Sequence, residues 1–240
     1  MTGLDRVLRL PLAPVLITQG LMVRARALRL PEPDGPRSGR CGAGPPLRLL
    51  VAGDSSAAGV GAPHQDAALA ARIAAMLAQD FEVDWRLEAT TGHTTEQALA
   101  RLRQMDGPFD VAVTALGVND TARLTSPRRF ARHQRMLMDR LTEGLGVRLV
   151  IATAVPPMQH FPALPQPLAW VLGAHAGRLD RVLANLAQTR PEVQHLVPPL
   201  PHDPGFAAED GYHPNPAAYD IWAQAAAQMI RASWPAAHRR

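Results

Sequence analysis

Two short stretches hold the side chains best suited to chemistry: Gly53-Asp54-Ser55-Ser56 and Asp210-Gly211-Tyr212-His213-Pro214. A serine hydroxyl is a poor nucleophile alone. It needs a base for its proton, a group that orients the base, and donors for the oxyanion. Gly53-Asp54-Ser55 alone also reads as a simple turn. Asp210 and His213 stand three positions apart. At that distance a carboxylate can hold one ring nitrogen and leave the other facing a serine. The same stretch also reads as an Asx turn leading into a proline-started helix.

Two further stretches supply possible donors. In Gly117-Val118-Asn119-Asp120 the Asn119 amide can donate to a developing oxyanion, and Asp120 can brace the loop. In Thr91-Gly92-His93-Thr94 a glycine lets its backbone N–H approach a ligand without a side chain in the way. Each of these also reads as a turn. His64 and His93 lie near these loops, and His93 is an alternative base with no adjacent carboxylate. His160, His175, His195 and His202 lack metal-ligand spacing, so no metal is expected. Gly59-Val60-Gly61 is not a nucleotide fingerprint.

These residues need a frame. Apolar runs at 47–52, 111–116 and 147–154, an alternating stretch at 83–87 and a short one at 193–197 read as strands. Between and after them, 65–79, 95–105, 127–143, 166–188 and 216–232 read as helices. Thr94 or Thr95 can cap the second helix, and Ser126 the third, with Pro127 at its first position. Alternating apolar strands and helices predict a parallel sheet covered on both faces. In such sheets the working loops lie at the carboxyl ends of the strands. That puts 53–62, 90–94, 117–126 and 198–214 on one rim.

In order and spacing, these stretches together resemble the SGNH hydrolases, also called GDSL-type esterases and lipases, over residues 47 to about 232. The matching blocks are Gly53-Asp54-Ser55, Gly92, Gly117-Val118-Asn119-Asp120 and Asp210-Gly211-Tyr212-His213-Pro214. The resemblance implies a flavodoxin-like three-layer α/β/α sandwich with a mostly parallel, five-stranded sheet. It implies Ser55 as nucleophile, His213 as base and Asp210 as its orienter. It also implies an oxyanion hole formed by the Ser55 and Gly92 backbone N–H groups and the Asn119 side chain. The implied reaction is hydrolysis of a carboxylic ester through an acyl-enzyme, without a cofactor, on a small-molecule acyl ester. Ser56 departs from the leucine often found after the motif serine. Acyl transfer or thioester cleavage would use the same machinery, and a non-catalytic binding domain on the same fold is the rival reading.

Composition narrows the field. Hydrophobic residues make up 47% of the 240, too many for a disordered chain. One cysteine, Cys41, cannot form an intrachain bridge. All 25 basic residues are arginine, and the formal net charge is +4. The arginines are scattered without interleaved aromatics, so no nucleic-acid partner is expected. Residues 31–46, rich in Pro and Gly, read as a linker between an N-terminal helical extension at 1–30 and a main domain at 47–240. The apolar stretch from Leu10 to Val23 is interrupted by Pro11, Pro14 and Gln19 and is short for a membrane span. A helix docked on the domain is the preferred reading, in a cytoplasmic protein. Weak contact of this segment with a membrane surface is the alternative. After the fourth strand, Met158, Phe161 and Leu164 are expected to wall an acyl chain, with Trp170 behind them.

Overall fold

The computed structural model describes residues 4–237. Residues 1–3 of the N-terminal segment and the Arg239-Arg240 pair lie outside the described residues.

Six strands build one sheet: β1 (Ser38–Cys41), β2 (Pro46–Gly53), β3 (Glu82–Ala89), β4 (Val111–Ala115), β5 (Leu149–Thr153) and β6 (Val193–Leu196). Their order is β1-β3-β2-β4-β5-β6. The last five in that order are parallel, and β1 pairs antiparallel with β3. The chain winds outward from β2 in both directions. The β2/β4 junction is therefore the switch point, where α/β sheets open a crevice at their carboxyl edge. Gly53 stands in register with both Ala89 and Ala115, so the three strands end level.

The sheet holds six strands, not the five expected. The extra one is Ser38-Gly39-Arg40-Cys41, inside the stretch read as a linker. It has no run of apolar residues to mark it. It forms because the edge of β3 offers unpaired backbone groups. Gly39 lies close against the Trp85 indole, which a Cβ there would approach to 3.0 Å.

Successive residues of the central strands face opposite layers. Leu50 and Ala52 of β2 pack with α4 (Thr95–Leu102), α6 (Pro127–Asp139) and α7 (Leu168–Gln188). Leu47, Leu49 and Val51 pack with α3 (Leu69–Leu77) and α8 (Pro216–Ala237). Burial on both faces explains why these strands read as continuous apolar runs. Ser126 caps α6 by accepting from Arg129 N, and Pro127 fills the first position.

A 23-residue helix, α1 (Leu4–Arg26), lies outside the two main layers, along α7. Arg178 donates to both carboxylate oxygens of Asp5 at 2.8 and 2.7 Å, and Arg9 adds a third contact at 3.2 Å. Fourteen residues further along α1, Gln19 donates to the Gln166 carbonyl at 2.6 Å and accepts from Leu168 N at 3.1 Å.

Candidate active site

β2 ends in Gly53, and the chain turns at once into α2 (Ser55–Ala58). A Cβ on Gly53 would meet the Ala115 carbonyl at 2.3 Å, so only glycine lets β2 and β4 close together here. Asp54 caps α2: its Oδ1 accepts from Ser56 N at 3.1 Å. Ser55 thereby sits at the carboxyl edge of the sheet at the first position of a short helix.

The loop before α8 carries the partners. Asp210 Oδ1 accepts from Tyr212 N at 2.9 Å and from His213 N at 3.0 Å. Its Oδ2 lies 2.5 Å from His213 Nδ1, and His213 Nε2 lies 2.8 Å from Ser55 Oγ. Burial alone would raise the Asp210 pKa. The hydrogen bonds from His213 and Tyr212 outweigh it and hold the carboxyl below its ordinary value. With the ring hydrogen on Nδ1, His213 would donate to this carboxylate and leave Nε2 to accept from the serine. Tyr212 packs edge-on against both Phe161 and the His213 ring, at 5.0 and 5.6 Å. This fixes the ring plane.

Asn119 lies in α5 (Val118–Ala122), after β4. The helix is entered through Gly117, whose φ is +126° and where a Cβ would strike Val155 at 2.5 Å. The Asn119 amide donates to the His93 carbonyl at 3.1 Å and to Asp54 Oδ2 at 3.3 Å. It thus ties the serine turn to the turn containing Gly92, a residue at φ +83° with open space where a side chain would be. Asp120 braces the same corner, accepting from both Thr95 N and Thr95 Oγ1 at 2.9 Å.

The sequence stretches thus meet at one rim. Other expectations fare differently. The His93 ring makes no hydrogen bond to Ser55; burial, with Arg101 and Arg123 nearby, lowers its pKa. His64 caps a short turn by accepting from Asp66 N.

A cavity of about 480 Å³ runs from Ser55 and His213 across the ends of β4, β5 and β6. Of the three residues expected to wall an acyl chain, only Phe161 lines it. Met158 and Leu164 are core residues, packed with α7 and not with the cavity. The reason is a single 3-10 turn, Met158–His160, that rotates Met158 inward while its neighbours Pro157 and Gln159 face the cavity. Trp170 is half-buried and is not part of the wall.

Two carboxylates escaped the sequence reading. Asp180, on α7, lines the cavity and accepts from Val155 N and pairs with His195 Nε2, each at 2.9 Å. Nothing local in the sequence marks it, because its partners come from separate strands. Asp54 was legible only as a motif letter. It is fully buried, and burial together with the nearby Asp120 charge pushes its pKa up to about 7. Hydrogen bonds from Ser56 and Asn119 oppose that rise.

Residues 51–221 match the model of the GDSL-like Lipase/Acylhydrolase family. No curated protein matches the sequence. Several solved structures share the fold. TesA is 19% identical with a TM-score of 0.59, over 78% of this chain and 99% of that one. An inhibitor-bound aryl esterase of M. smegmatis is 20% identical with a TM-score of 0.55, over 78% and 99%. A Corynascus thermopiles carbohydrate esterase of family 2, with a carbohydrate-binding domain, is 15% identical with a TM-score of 0.60, over 83% and 68%. At such identities the likeness is one of fold.

Proposed function

The chain belongs to the GDSL-like lipase/acylhydrolase family, and on that premise we propose that this ester-cleaving hydrolase works by a Ser55–His213–Asp210 triad through an acyl-enzyme. The observation that carries the reading is the continuous line of contacts from Asp210 Oδ2 through the His213 ring to Ser55 Oγ, at 2.5 and 2.8 Å. Ser55 attacks the ester carbonyl as Nε2 takes its proton. Asp210 holds the imidazole in the tautomer that can do so and offsets the charge that forms on it.

The oxyanion sits among three donors. Ser55 opens α2, so its N–H has no carbonyl one turn back to bond. Gly92 contributes a second N–H from a turn clear of side chains. The Asn119 amide gives the third by turning one hydrogen away from Asp54, the longer of its two contacts. His213 then protonates the leaving alcohol. A water attacks the acyl-enzyme by the same route, with His213 again as base. The apolar side chains around the cavity, among them Val155, Phe161, Leu200 and Phe206, receive the acyl chain of a small ester.

Stoichiometric labelling with an organophosphonate tests this reading. The wild-type chain is expected to take one label on Ser55. Ser55→Ala is expected to lose the label and on the order of 10⁴ in kcat, while Ser56→Ala keeps both. A label on Ser56, or none on the folded wild type, overturns the assignment.

A further inference from the structure

Helix α1 is apolar on two opposite faces, and only one of them is covered. At 100° per residue, the inward face carries Asp5, Leu12, Leu16, Gln19 and Val23, and through Asp5, Gln19 and Val23 it meets α7 and the core beneath. The outward face carries Val7, Leu10, Ile17 and Leu21, which are 62–83% exposed. A helix that only covers a soluble domain presents a polar outer face. This one presents leucine, isoleucine and valine to solvent along its length. By length and composition Val7–Arg26 could cross a bilayer.

The docking argues against threading one. Asp5 and Gln19 are fastened to the flank of α7 fourteen residues apart, about 21 Å along the axis. Crossing would drag α7 into the hydrocarbon with it. What remains is a helix held lengthwise with its apolar face outward. Its charges fit one kind of surface. At the end of the helix Arg24 falls roughly 55° to one side of the centre of the apolar face and Arg26 roughly 145° to the other, and Arg29 follows just beyond the helix. All three are exposed, and none is in a salt bridge among the described residues. Arginines flanking an apolar sector reach headgroups while their stems stay on the acyl boundary.

We propose that the outward face of α1 docks the enzyme onto an anionic lipid surface, with the helix lying in the plane of the interface. The arrangement brings the site with it. Gln19, in the second half of α1, is bonded to Gln166 and Leu168, where α7 begins, a few residues after the Pro156–Pro162 wall of the cavity. The docking does not depend on the triad reading, and its test does not use activity.

Flotation of the full chain with vesicles tests it, using phosphatidylcholine alone and phosphatidylcholine with phosphatidylglycerol. The wild type is expected to float with the anionic vesicles and to release as salt rises. Leu10→Glu with Ile17→Glu is expected to lower the partition coefficient at least tenfold, with an unchanged melting curve showing that the fold survives. Arg24→Glu with Arg26→Glu is expected to lower it by roughly fivefold per residue or more, chiefly on the anionic vesicles. The second pair keeps the test decisive if the first fails to fold. Absence of flotation, or wild-type flotation by either variant, overturns the proposal. So does equal, salt-independent binding to neutral vesicles. A wild-type dimer that Leu10→Glu/Ile17→Glu makes monomeric, without vesicle binding, would assign the face to a second copy of the chain.

Discussion

The turn that presents Ser55 and the loop that presents His213 each bury an aspartate, and they treat its charge in opposite ways. Asp210, with its side chain 4% exposed, receives two backbone N–H groups and a ring nitrogen. Burial raises its pKa, but those donors bring it below the ordinary carboxylate value. Asp54, 2% exposed, receives one backbone N–H and one amide hydrogen and has Asp120 nearby. Its pKa rises to about 7. Asp54 is the more deeply buried residue and has the Asp120 charge beside it, whereas Asp210 is only partly buried as a residue. Depth of burial, neighbouring charge and the donors together set which carboxyl stays charged. The histidine loop is built to keep an anion; the serine turn tolerates one only in part.

The largest effect should come from breaking the histidine loop. In Asp210→Asn the amide oxygen can still accept from the backbone of Tyr212 and His213. Its NH₂ then faces Nδ1, which must become the acceptor. The ring hydrogen moves to Nε2, where it blocks proton transfer from Ser55. A loss of roughly 10⁴ in kcat is expected with little change in fold. Steady-state kinetics with a circular-dichroism control checks this. Full activity would show that the carboxylate has no part in setting the tautomer.

The second effect is on stability against pH, and here the two regions have opposite signs. For Asp54 the folded pKa lies above the unfolded one. The folded chain therefore holds the extra proton between about pH 4 and 7, and stability falls as pH rises through that window. The full swing is on the order of 4 kcal/mol. Asp210 does the reverse: its depressed pKa contributes stability above the ordinary carboxylate range, lost as acid protonates it. Denaturant titrations from pH 4 to 8 on wild type and Asp54→Asn should differ by a slope that the variant lacks. Parallel curves would mean that Asp54 is ionised throughout and that its two donors suffice.

Both loops were legible in the sequence as motifs, and the five parallel strands as apolar, alternating or short β-type stretches. Ser126-Pro127 announced the start of α6 because capping chemistry is local. What was not legible depends on distant partners. Ser38–Cys41 becomes a strand only because β3 has a free edge. Met158 and Phe161 are both apolar and three residues apart, yet one 3-10 turn sends the first into the core and leaves the second at the cavity. The Asp180–His195 pair joins α7 to β6, and the pKa of Asp54 depends on Asn119 and Asp120, sixty-odd residues away. Spacing in the chain carries none of this.

A third aspartate sharpens the contrast. Asp5 is 2% exposed, as deeply buried as Asp54, but its partners are guanidinium groups: both oxygens meet Arg178, and Arg9 adds a contact. Its surroundings are the α1/α7 seam, on a different face of α7 from Gly173, Gly177 and Asp180, which line the cavity. Charge paired in this way fastens α1 to α7. Asp5→Asn leaves the mostly buried Arg178, 14% exposed, without its counter-charge. Removing one partner of such a pair costs about 3 kcal/mol. For a chain of this length, that should lower Tm by roughly 6–12 °C. kcat on a soluble ester should stay within about twofold, because neither the Ser55 turn nor the His213 loop contacts the seam. Calorimetry and kinetics on the same preparation separate the two quantities. If kcat fell in step with Tm, the seam would be transmitting its geometry through α7 to the Pro156–Pro162 wall. The division between a fastening carboxylate and the two site carboxylates would then no longer hold.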